Sequence, residues 1–202
     1  MQELEAERAV RVRPDVAAFL MERNITADHL RSLLANVVAP DVNELIESLP
    51  RSSIENLIEV LSNPVVRRLI ERHGARLVLD GFWWTLYIDA SLPLAIRGLS
   101  YVFIGDRETP WNNLEGSGEN ITEAIADLRN RARAELDRLR QVQKLQEWLT
   151  SAWPGATLST WDEDAEAIQH MSELEALLAD LDEALQAQQA QPQAQEGRRG
   201  LL

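Results

Sequence analysis

The chain has 202 residues, with 33 acidic and 20 basic side chains, a net charge of −13 and no cysteine. The missing cysteines exclude disulfides, thiolate nucleophiles and cysteine-rich zinc sites, and they fit a reducing, cytoplasmic compartment. The acidity argues against a general nucleic-acid binder, because neutralising phosphates takes basic surface.

The opening MQELEAERAVRVRP mixes both signs of charge and has no apolar stretch, so it does not read as a secretory signal. From there to Gly74 the chain is punctuated by helix starts. Pro14 and Asp15 fit a first turn that runs on to about Arg23. Thr26 is placed to cap a second helix, and Pro40 with Asp41 opens a third. Ser52 and Glu55 have capping-box spacing ahead of Ile54, Leu57, Ile58 and Leu61. Asn63-Pro64 opens a fifth helix, which Gly74 closes. Helices this short are marginal alone, so they are expected to pack as a bundle.

Leu77 to Ile104 is nearly continuous apolar sequence. Two buried helices meeting near Pro93 are one reading, and the preferred one. The other makes Asp80-Gly81 a tight turn in a small β-hairpin near residues 77–88. Asp80, Asp89, Arg97 and Pro93 interrupt the stretch, which makes a membrane span a poor fit. Charges inside such a stretch must pair or reach water. Either one of Asp80 and Asp89 pairs with Arg97, or each of the three lies at a helix edge, or they form a polar site in an apolar pocket for a ligand or a partner's charge.

Gly105 to Glu119, GDRETPWNNLEGSGE, reads as a loop or linker. Asn120 caps a long helix to about Ala152, with Ile121, Ile125, Leu128, Ala132, Leu136, Leu139, Val142 and Leu149 on one side. After Trp153-Pro154-Gly155, Thr160 and Glu163 start a second helix, with its stripe at Ile168, Met171, Leu174, Leu178, Leu181 and Leu185. The first helix carries Arg129, Arg131, Arg133, Arg138, Arg140 and Lys144. The second has only acidic charges between Asp162 and Glu183. Antiparallel pairing with charges flanking the seam, in the manner of a coiled coil, is expected.

No catalytic or phosphate-binding motif is present. Gly116-Ser117-Gly118 lacks the lysine of a phosphate loop, and there is no nucleophile elbow. Glu166, His170 and Glu173 share a helix face, but an acidic helix places Glu beside any His. His73 suits a helix C-terminus, and His29 has no convincing catalytic neighbour. No metal or cofactor is expected. Trp83, Trp84 and Trp111 read as core or as an exposed anchor. Trp148, Trp153 and Trp161 bracket a turn and are hard to bury in two helices alone, so they point to packing on the rest of the chain or on another chain.

The expected fold is mainly α: a helical bundle over residues 1–105, a linker over 106–119, a long helical hairpin over 120–190 and a disordered tail over 191–202. The expected function is a non-enzymatic interaction or assembly protein, an adaptor or structural subunit with a protein partner that includes itself as a candidate. The rivals are an apolar-ligand or peripheral membrane protein, an acidic decoy for basic surfaces, and an enzyme with scattered residues.

Overall fold

Pro14 sits in the first helical position of α1 (Pro14–Glu22), where its missing N–H is no loss. The computed structural model describes residues 9–88, 92–105, 109–159 and 162–199. Thr26 accepts from the His29 N–H and starts α2 (Ala27–Leu33). Asp41 accepts from the Asn43 N–H and starts α3 (Val42–Ser48). Asn63 accepts from Val65 and Val66 at the head of α5 (Pro64–His73). Between them, α4 (Arg51–Ser62) begins after Pro50 with no side-chain cap. Its Ser53 is buried and bonds across to the sheet.

The middle of the chain overturns the expected class. It forms a six-stranded sheet, so the fold is mixed, neither all-α nor a helical bundle. The strands lie in sequence order: β1 (Val37–Val38), β2 (Ala75–Asp80), β3 (Trp83–Ile88), β4 (Leu94–Ile96), β5 (Tyr101–Ile104) and β6 (Glu115–Ser117). β1 runs parallel to β2, and the rest is an antiparallel meander. The Asp80-Gly81 hairpin is real and is the start of that larger sheet. Asp80 pairs with Trp83 across a two-residue turn, and Gly81 has φ +61°, which a side chain would strain. Within the segment read as a linker, Glu115–Ser117 form the edge strand β6.

The register explains why the strands are hard to see in the sequence. One face carries Ala75, Leu77, Trp84, Leu86, Ile88, Leu94, Ile96, Val102 and Ile104, all buried under helices. The other face should alternate polar, but it carries Val78, Thr85, Tyr87, Ala95, Tyr101 and Phe103. Thr85 and Ala95 are themselves covered by longer neighbours. The apolar–polar alternation that marks a half-buried strand is therefore lost, and the run reads as continuous.

Asn120 accepts from the Glu123 N–H and starts α6 (Ile121–Ala152). α6 crosses the buried face of β5 and β6, then continues past it. Gly116 makes this crossing feasible. A Cβ there would stand 2.2 Å from the Ala124 carbonyl and 2.5 Å from the Leu128 N, both main-chain atoms. The return path is broken at His170 into α7 (Asp162–Gln169) and α8 (Met171–Arg199). α8 runs antiparallel to α6, with Asp182 paired to Arg129 and Arg133, and Glu175 to Arg140. Arg138 bridges Glu135 and Asp164, and these two carboxylates hold its proton more firmly than in a free arginine. The pair is no free-standing coiled coil. α6 turns Ile121 to Leu139 toward the sheet and α8, and α8 also docks on α5. There Arg72 pairs with Asp180 at 3.3 Å and with Glu183, and His73 Nε2 lies 3.2 Å from Asp180. One continuous apolar core joins residues from α1 to α8.

Candidate interaction surface

The buried side of α6 ends at Leu139. Residues 140–152 continue for about 20 Å without a buried side chain. At about 100° per residue, Gln141, Leu145, Trp148 and Ala152 fall within about 60° of one another. Ala132, Leu136 and Leu139 lie on the opposite, core-facing side of the helix. The chain returns from the tip on the core-facing side, where the Leu158 N–H donates to the Gln146 side-chain oxygen at 3.1 Å. The stripe is thus left to solvent. Leu145 is 54% exposed, and Trp148 and Trp153 are each 62% exposed. Large apolar side chains gathered in one exposed patch mark a contact surface more often than scattered ones do.

The two edges of the sheet are short and partly engaged. Strand addition needs an open edge. At β6 the outward Ser117 N–H donates to the Asp127 carboxylate of α6 at 3.1 Å. At the other edge β1 is only two residues long.

The solvent face of the sheet is polar–aromatic and largely satisfied within itself. Arg76 stacks on Tyr87 at 5.0 Å and Arg97 on Phe103 at 5.3 Å. Arg97 Nε also donates to Thr85 Oγ1 at 3.3 Å. The Tyr101 hydroxyl donates to Glu115. That hydrogen bond, with burial and the Glu115 charge behind it, raises the Tyr101 pKa above 10.0.

The residues singled out in the sequence separate on this frame. Trp84 and Trp111 are each 1% exposed and belong to the core, and the Trp111 Nε1 has no hydrogen-bond partner among the described residues. Trp83 is 59% exposed and, with Phe82, forms the tip of the β2–β3 turn. Trp148 and Trp153 are exposed at the far end of α6, so neither packs on the body of the chain. Trp161 and Asp89 lie outside the described residues. Asp80 is exposed at the end of β2, while Arg97 is engaged with Thr85 and Phe103, so the structure does not bring these two together. What the sequence reading missed is Leu145. It completes the apolar stripe with Trp148, and its signal was an apolar residue off the core-facing side of a long helix.

The remaining chemistry is sparse. His29 lines an open groove with Arg23, Glu55 and Glu59 between α1, α2 and α4. His170 Nδ1 meets Glu173 at 2.9 Å. Among the described residues no three His, Asp or Glu side chains converge as a metal site. An apolar void between α2, α3 and α4 holds about 10 Å³, too small for a ligand. Among the described residues no helix is long and apolar enough to cross a membrane. No family model matches the chain, and no curated protein or solved structure matches it either.

Proposed function

We propose that the protein is a non-enzymatic assembly or adaptor protein of the cytoplasm, and that the distal part of α6 is its docking element. One observation carries this reading: Leu145 and Trp148, on a helix that outruns its own core, and Trp153 just past its end are all more than half exposed. Tryptophan and leucine in water forgo the stabilisation of burial, about 1.5–3 kcal/mol for a leucine-sized side chain. A partner that covers them recovers it. Tryptophan is also enriched among residues that dominate binding energy.

Because these side chains are exposed, changing them leaves the fold nearly untouched, within about 0.5 kcal/mol. Binding and folding are therefore separable by mutation. The test is affinity capture on the full chain from its natural source, comparing the native sequence with Leu145→Ser/Trp148→Ser. A docking role gives defined partners that the double variant loses while its thermal unfolding is unchanged. Equal capture by both chains, or no specific capture by either, contradicts it.

A further inference from the structure

We infer that the occupant of the α6 tip is a second copy of this chain, paired antiparallel about a two-fold axis between positions 146 and 147. The inference rests on the docking reading above and names its partner.

The spacing of the stripe carries it. Gln141, Leu145, Trp148 and Ala152 follow one another by four, three and four residues on one helix face. Reversing the stripe about the midpoint between positions 146 and 147 exchanges Leu145 with Trp148 and Gln141 with Ala152, so the surface maps onto itself. A large side chain then meets a medium one in two central layers, flanked by layers of glutamine against alanine. A two-fold contact uses the same patch on both subunits and requires this self-complementarity.

Charge points the same way. Two chains of net charge −13 repel, and the acidic run from Asp162 to Glu183 is the worst place to meet. Residues 141–152 hold one cation and one anion, Lys144 and Glu147. Both lie on the same side of the stripe, Lys144 about 70° and Glu147 about 130° from its centre, so their attraction across the seam is long-range. In the antiparallel register each Lys144 comes within two residues of the level of the second copy's Glu147, and symmetry supplies the pair twice. In a parallel pair the same flank of the two copies falls on opposite sides of the seam, so Lys144 and Glu147 meet no opposite charge of the second copy.

The area sets the strength. The exposed parts of Leu145, Trp148 and Trp153 amount to on the order of 400 Å² per copy. A contact of roughly 800–1,000 Å² in total lies below the range of stable specific interfaces. The dimer is therefore weak and concentration-dependent, forming across roughly 1–100 μM.

The experiment is light scattering on the full chain across that range, with label distances to fix the register. The lack of native cysteine lets single cysteines carry spin labels without background. The native chain is expected to rise from the one-chain to the two-chain mass, and Leu145→Glu/Trp148→Glu to stay at one chain. Labels at Asn130→Cys should lie about 50 Å apart in the dimer, and labels at Ser151→Cys about 15–20 Å apart. Short distances at both positions mean parallel pairing and overturn the register. A two-chain mass that survives in the double variant overturns both this pairing and the docking role of the α6 tip. A one-chain mass at every concentration overturns the second copy as partner, while the capture experiment separately decides the docking role. Circular dichroism confirms that the double variant is folded; should it unfold, the label distances on the otherwise native tip decide the question.

Discussion

The indole N–H of Trp84 donates to the main-chain carbonyl of Ser53 at 2.9 Å, tying β3 to the first turn of α4. Ser53 reciprocates, because its hydroxyl donates to the Phe82 carbonyl at 2.8 Å. Trp84→Phe removes the donor and shrinks a side chain that is 1% exposed, while the Ser53 carbonyl keeps its place in the helical ladder of α4, an expected loss of about 1–3 kcal/mol by chemical denaturation. Ser53→Ala keeps the carbonyl that Trp84 uses and is expected to cost only about 1 kcal/mol. A Trp84→Phe variant of native stability would mean that the indole bond contributes nothing.

Gly116 permits α6 to lie directly on β6. Gly116→Ala places a methyl group against the Ala124 carbonyl and the Leu128 N, which are helix backbone and do not move aside as a side-chain end does. The expected cost is about 3 kcal/mol or more, read as a lowered denaturant midpoint. A variant of native stability would place the sheet and α6 further apart than described.

Asn63 does two jobs. Its oxygen caps α5, and its Nδ2 donates to Thr122 Oγ1 at 2.9 Å, reaching the start of α6. Asn63→Ala is expected to cost about 1–2 kcal/mol. Asn63→Asp keeps the cap and loses the cross-link, so it should cost less. The reverse order would contradict the capping role.

Tyr101 gives a signal at alkaline pH. Its hydrogen bond to Glu115 raises its pKa above the ordinary 10.0, so the bond favours the neutral phenol. The stability it contributes is fully present below the unfolded value near 10 and is lost as pH rises through the higher folded value. The chain has two tyrosines, Tyr87 and Tyr101, so absorbance titration resolves two components. One should ionise late, and Glu115→Gln should bring it back toward the ordinary range. A late component unchanged in that variant would contradict the assignment.

The helix starts were legible because each rests on one local side chain: Thr26, Asp41, Asn63 and Asn120 all cap as their spacing implies. Local chemistry failed at Ser52 and Glu55, where α4 starts at Arg51 and Glu55 pairs with Arg51. The sheet was illegible for a tertiary reason. Tyr87, Ala95 and Phe103 sit side by side on its outer face across three strands, and that register appears in no local window. The exposed tryptophans were legible as a group, but only the end of the buried side of α6 at Leu139 separates Trp148 and Trp153 from Trp84 and Trp111.

The docking role of α6 is tested most directly by photo-crosslinking within the natural source. A photoreactive residue at Leu145 of the full chain is expected to give one discrete adduct, either with a second copy or with another protein. The same residue at exposed Asn112, away from the helix tip, should give none. Adducts of equal yield from both positions, or none from position 145, would show that the apolar stripe of α6 stays in water and that the chain does not assemble through it.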